Sequence, residues 1–299
     1  MSATTRAGDR QSAGTSRALA KSSLRAFGIL TAPLRGLPDF LIIGGKRAAS
    51  TSLWNHVVRH PSVLPMFPSR QRIKGTSFFT TNWNKGRSWY RSHFALAAHR
   101  RLRTRRDGTP PITGEATPYY LFHPLAPERA AAVTPDARIV AILRDPVDRA
   151  YSHYRERARH GAEMLSFEEA LAAEEERLEG EESRIIEEPG YASPAHEHLS
   201  YVAQGRYASM LERWYAAFPR DQVLVLLNED FDRDPDEVLA RLFAFLGLPR
   251  WEPPRLERYN FHPDPSMAPA TRAELVERFR EDNRKLESLL GVSLSGWGT

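Results

Sequence analysis

The sequence predicts an α/β fold with a mostly parallel central sheet flanked by helices, and three observations carry that prediction. Residues 40–43 (FLII), 138–143 (RIVAIL) and 222–227 (QVLVLL) are continuous apolar runs of strand length. Strands covered on both faces by helices read this way, whereas a half-exposed strand alternates. Helix-period segments lie between the runs. Two runs also end in residues suited to opening a helix: Gly44-Gly45 ahead of Ser50-Thr51-Ser52, and Arg144 followed by Asp145-Pro146.

The bounds agree. A chain of 299 residues with 41% hydrophobic and 26% charged side chains buries one full core. We divide it into a basic tail, residues 1–37, and one domain, residues 38–299. The tail sets Arg6, Arg10, Arg17, Lys21, Arg25 and Arg35 against Asp9 among small polar residues, a composition that favours disorder, with room for a short helix at 23–30. Its apolar stretch 26–30 is too short to span a bilayer, and weak peripheral contact with an anionic membrane is the most it allows. Cysteine is absent, which excludes disulfides, thiolate metal sites and a cysteine nucleophile, and fits a cytoplasmic setting. The net charge of +5 favours acidic ligands, but no nucleic-acid-binding signature accompanies it, so nucleic acid is not an expected partner. Oligomeric state is left open.

The elements follow in order. The first run turns into a helix through residues 53–58, and His60-Pro61 stops it before a short buried piece at Val63-Leu64. Trp89, Tyr90 and Phe94 fall at helical spacing, while the arginine cluster at 100–106 reads as an exposed loop before Gly108 and Pro110-Pro111. Residues 112–118 (ITGEATP) read as a short strand with Glu115 near its C-terminal end, the edge where open α/β sheets bind ligands. Helices are expected at 126–133, after Asp145, at 167–178 with a solvated glutamate face, within 201–218, at 235–246 and at 271–290. Residues 189–198 read as a loop suited to a lid.

Most of the chemistry sits in residues 38–53 (PDFLIIGGKRAASTSL). A strand, a glycine turn and a helix N-terminus present free amides to an anion, and Lys46 adds a full charge. The order is similar to a Walker A loop, but GxxxxGK[ST] is absent, and an ordinary strand-turn-helix with an exposed lysine is the competing reading. The second run ends in Arg144, with Ser152 on the following helix. Both suit a second anionic group, against the plainer reading of an Arg-Asp capping pair and a surface serine.

The two motifs, in this order and about a hundred residues apart, resemble those of sulfotransferases that use 3′-phosphoadenosine 5′-phosphosulfate (PAPS), in the bacterial and heparan-sulfate-type branch of that family. The likeness extends from residue 38 to 297 and takes in the GRY...L..W...F stretch at 205–218, QVLVLLNE at 222–229 and the closing helix with its Gly and Trp. It implies a P-loop-like sulfotransferase fold and transfer of a sulfuryl group from PAPS to a hydroxyl or amine of a carbohydrate, glycolipid or small-molecule acceptor, with no metal. Carried over onto the matching positions, Lys46 meets the 5′-phosphosulfate and stabilises the leaving phosphate, within a loop of Gly45, Arg47, Ala48, Ala49, Ser50, Thr51 and Ser52. Arg144 and Ser152 hold the 3′-phosphate, and Tyr207 and Arg258 close over the nucleotide.

Three positions depart from the family pattern. Ala49 stands where glycine is usual. Gly75 and Ser77 stand where relatives carry a glutamate after the lysine or a histidine before the aromatic pair, and neither is a general base. Glu115 is expected to take over as base, against the reading of a structural carboxylate, with Lys74 polarising the transferring group. His93, His123 and His153 are further candidates, each more readily explained by packing. The departures keep open a catalytically silent nucleotide-binding or interaction protein. A P-loop kinase is disfavoured by the missing GK[ST] and by Arg144 at a strand end where Mg²⁺ chemistry needs an acid.

Overall fold

The computed structural model describes residues 23–69, 73–252 and 267–298. Five strands, β1 (Phe40–Gly44), β2 (Val63–Leu64), β3 (Ile112–Ala116), β4 (Arg138–Leu143) and β5 (Val223–Leu227), form one sheet in the order β2-β3-β1-β4-β5. Every pairing is parallel, with Phe40 opposite Gly114 on one side and Arg138 on the other. β1 is buried along its whole length, which explains its unbroken apolar sequence. The chain leaves β1 first toward β2 and β3 and then returns to its other side at β4, so the topology switches direction at β1 and opens a crevice beyond its C-terminal end.

The helices in chain order are α1 (residues 23–30), α2 (Ser50–Val57), α3 (Gly86–Arg91), α4 (Ala97–Asp107), α5 (Ala126–Val133), α6 (Pro146–Arg159) and α7 (Phe167–Leu178), then α8 (Glu181–Glu187), α9 (Pro194–His198), α10 (Tyr207–Ala217), α11 (Asn228–Arg233), α12 (Pro235–Phe245) and α13 (Pro269–Leu290). The main core surrounds the sheet. A second cluster joins Val147 and Ala150 of α6, Phe167 and Leu171 of α7, and Leu275 and Phe279 of α13. This packing braces the start of α6, which carries Ser152 and follows directly on Arg144.

Three expectations change. Residues 23–30 form the short helix that the sequence allowed, and the stretch before 37 that composition assigned to the tail packs on the domain through Arg35. Arg35 is buried, donates to the Phe94 carbonyl at 2.6 Å and to Thr31 at 2.8 Å, and lies over the Phe67 ring. Composition averages over a segment and cannot show that one arginine finds a cage. The cluster expected as a loop at 100–106 is helical: arginine is a good helix former, Arg103 pairs with Asp107 one turn on, and Gly108 ends α4 in the left-handed conformation. The expected lid at 189–198 contains α9, capped by Ser193. Arg258 lies outside the described residues.

Candidate functional site

The site starts from the constraint on Gly44. A Cβ there would stand 2.6 Å from the Pro118 carbonyl oxygen at a φ of +151°, so only glycine lets β1 run against the turn after β3. The loop then rises to Ala49, which enters α2 at φ 61°, a left-handed geometry that explains why glycine would suit this position better. No side chain caps α2, so the amides of its first turn remain for an anion.

Two lysines flank this turn, Lys74 reaching its hydroxyls and Lys46 standing on the loop that leads into it with its ammonium held by α9. Lys74 reaches across from the segment before β3 and donates to Thr51 Oγ1 at 2.9 Å and Ser50 Oγ at 3.2 Å. Lys46 donates to the Glu197 carbonyl at 2.7 Å and lies 3.2 Å from His198 Nδ1. Neither ammonium pairs with a carboxylate among the described residues. Burial lowers Lys74 to about 8. Burial also brings Lys46 to about 8, with Glu197 and Glu156 pulling it back up and Arg157 and Arg149 pushing it further down.

The second motif adjoins the first because β4 pairs with β1. Asp145 caps α6 by accepting from the Val147 amide at 2.8 Å, its own amide donates to Glu229, and its other oxygen accepts from the Gly298 amide. Arg144 therefore emerges at the strand end, half-buried and only loosely paired with Asp148 at 3.9 Å. Ser152 is nearly buried one face down α6, and Arg47 donates to its Oγ at 3.1 Å, tying the two loops together. Lys46, Arg47, Ser50, Thr51, Ser52, Lys74, Arg144 and Ser152 thus gather at the C-terminal ends of β1 and β4. Gly45 donates to the Ile142 carbonyl, and Ala48 is fully buried, so both shape the loop through the backbone.

Two expected roles are corrected. Glu115 is fully buried and its carboxylate accepts five hydrogen bonds: from Tyr90 and Tyr120 on one oxygen, and from the Thr76 amide, the Thr76 hydroxyl and the Thr117 hydroxyl on the other. Burial raises its pKa, and these donors work in the opposite direction. Both oxygens are engaged and shut off from solvent, so the geometry makes Glu115 a clamp that holds the Lys74-to-Phe79 segment against β3 and does not fit a base. Tyr207 is also buried and spends its hydroxyl on the Arg144 carbonyl at 2.9 Å. It supports the turn from below and presents no face with which to close over a nucleotide.

The usual base position is closed as well. A Cβ on Gly75 would lie 2.4 Å from both the Ala116 carbonyl oxygen and Thr117 Oγ1, and Ser77 is held at φ 51°. Glycine here is required by the clamp, so the site cannot be completed by a side chain at 75. The sequence reading missed Glu197 and His198, about 150 residues from Lys46, because no local pattern marks a loop that meets the cradle only in three dimensions.

An open parallel sheet whose central strand feeds a lysine-bearing helix N-terminus, with a second cationic turn on the adjacent strand, defines an α/β protein equipped for a ligand with two anionic groups. Residues 41–261 match the sulfotransferase domain family, and the chain belongs to that family. It is 32% identical to a sulfotransferase from Alicyclobacillus acidocaldarius, with a TM-score of 0.64 over 88% of this chain and 100% of that one. It is 31% identical over 232 residues to the human bifunctional heparan sulfate N-deacetylase/N-sulfotransferase 3, covering 75% of this chain and 23% of the relative. The mouse bifunctional heparan sulfate N-deacetylase/N-sulfotransferase 4 is 31% identical over 71% of this chain and 22% of its own. The chain thus spans about a quarter of the length of these curated relatives. Its parallel sheet with flanking helices is the sulfotransferase fold, and among the described residues no helix is long and apolar enough to cross a membrane.

Proposed function

We propose that the protein transfers a sulfuryl group from PAPS to an amine or hydroxyl of a carbohydrate. The observation that carries this reading is the pair of buried lysines at the start of α2, Lys74 on its hydroxyls and Lys46 on the loop before it, neither with a carboxylate partner among the described residues, beside a separate cationic turn at Arg144. A buried ammonium without a counter-ion is costly unless an anion completes it. In this reading Lys46, Lys74, Ser50, Thr51 and Ser52 hold the 5′-phosphosulfate, and Lys46 stabilises charge on the leaving phosphate. Arg144, with Ser152 and Arg47, takes the 3′-phosphate and so separates PAPS from ATP. The relatives that act on heparan sulfate make N-unsubstituted glucosamine the first acceptor to test. A cytoplasmic setting belongs to the same proposal.

Calorimetry with the desulfated product, 3′-phosphoadenosine 5′-phosphate (PAP), against ATP with Mg²⁺ tests the donor, and transfer of ³⁵S from PAPS to N-deacetylated heparosan or 4-nitrophenol tests the reaction. A preference for Mg²⁺-ATP overturns the reading. Tight PAP binding without transfer to any acceptor favours a catalytically silent binding protein, the reading that closure at Gly75 would otherwise support. Arg144→Ala is expected to weaken PAP by about 10- to 100-fold, the loss of one charge-assisted phosphate contact, while ATP changes by less than threefold. Equal losses for both nucleotides would show that Arg144 does not read the 3′-phosphate.

The lysines set a pH dependence. Protonated ammonium groups bind the anion, and both lysines lose their protons as pH rises through about 8. PAP affinity is therefore expected to be flat below that pH and to fall above it, by up to about tenfold per pH unit for each lysine. Calorimetry at successive pH values between neutrality and the alkaline range checks the sign. Affinity that holds steady or rises with pH rejects the assignment of these lysines to the phosphosulfate.

A further inference from the structure

The closed position at Gly75 and the sequestration of Glu115 leave a transferase site without a proton acceptor in its expected places. Glu197 is the carboxylate that the fold brings to the other side of the cradle. It stands on α9, whose backbone is anchored at several points. Ser193 caps the helix, the Tyr119 hydroxyl meets His196 Nδ1 at 2.8 Å, and the Glu197 carbonyl accepts from both Lys46 and Gln204. The carboxylate is about a quarter exposed and lines a small cleft with Thr80, Thr81, Tyr119, His123 and Tyr191. Thr80 and Thr81 directly follow the Phe78-Phe79 pair, so the cleft borders the end of the segment on which the family resemblance places the base. Glu156 also faces Lys46 but is engaged by Arg157 at 2.9 Å.

We infer that Glu197 is the general base of the transfer. Its carboxylate takes the proton of the acceptor amine or hydroxyl while that group's lone pair attacks sulfur and the bond between sulfur and the 5′-phosphate oxygen breaks, releasing PAP. The assignment rests on the sulfuryl-transfer reading above. Charge at the position suits the role. Burial raises the Glu197 carboxyl, which strengthens the carboxylate as a proton acceptor, and Lys46 and Arg157 hold the rise back. The groups facing it are Lys46 from the cradle, Arg157 from α6, Tyr119, His123 and Tyr191 across the cleft, and His198, whose ring burial keeps neutral, on its own helix.

The test is ³⁵S transfer from PAPS by wild type, Glu197→Gln and Glu197→Asp, with PAP calorimetry on each. Glu197→Gln is expected to lower kcat about 100-fold or more, with PAP affinity within about threefold and the acidic limb of the kcat–pH profile lost, and Glu197→Asp is expected to recover part of kcat. A Glu197→Gln kcat within threefold of wild type overturns the assignment. So does a variant whose only change is tighter PAP binding, because that is what a carboxylate merely shielding Lys46 would produce. Wild type that binds PAP but transfers to no acceptor removes the transferase reading, and this base with it.

Discussion

Glu115→Ala is expected to lower the free energy of unfolding by about 4 kcal/mol or more, enough to leave a domain of ordinary stability close to unfolding. Five donors lose their acceptor in a fully buried position: the Thr76 amide and the hydroxyls of Thr76, Thr117, Tyr90 and Tyr120. Each unsatisfied buried donor costs about 1–3 kcal/mol, and rotation of the hydroxyls toward other acceptors recovers only part. The Tyr120 hydroxyl also receives the Phe78 amide, so the loss spreads into the segment that presents Lys74. Urea unfolding followed by fluorescence measures it. The milder Glu115→Gln keeps the shape, and where it remains folded its kcat is expected to stay within about threefold of wild type. A stable Glu115→Gln with transfer abolished would restore Glu115 as the base.

Lys46→Ala is expected to reduce kcat by about 1,000-fold with little change in the urea midpoint. A preorganised cation aimed at charge that develops on the leaving group contributes on that scale. Stability is expected to hold because the wild-type ammonium is desolvated and lacks a carboxylate partner, so removing it relieves a cost as it deletes a hydrogen bond to Glu197. Single-turnover ³⁵S transfer separates the two quantities. A loss below about tenfold would move the electrostatic role to Lys74, the ammonium that reaches α2.

Local sequence alone places the strands of the sheet and the turns that follow β1 and β4. An unbroken apolar run such as residues 40–43 has few solutions other than a doubly covered strand, and Asp145-Pro146 sets a helix start through local dihedral and capping preferences alone. These are short-range effects, legible wherever the residues stand together. The positions of Lys46, Ser50 to Ser52, Arg144 and Ser152 beyond the strand ends were legible for the same reason, since each follows a strand by local geometry.

The remaining assignments depend on contacts distant in the chain. Glu115 reads equally well as a base or a strut until Thr76, Tyr90 and Tyr120 are seen around its carboxylate. Gly75 reads as a lost catalytic residue until the Ala116 carbonyl is found where its side chain would go. Arg35 left a tail for a cage, and Glu197 came to face Lys46 across about 150 residues of chain. Local propensity specifies which elements form and where they stop. The burial and partners that decide whether a carboxylate binds a proton or holds a loop arise only when those elements pack.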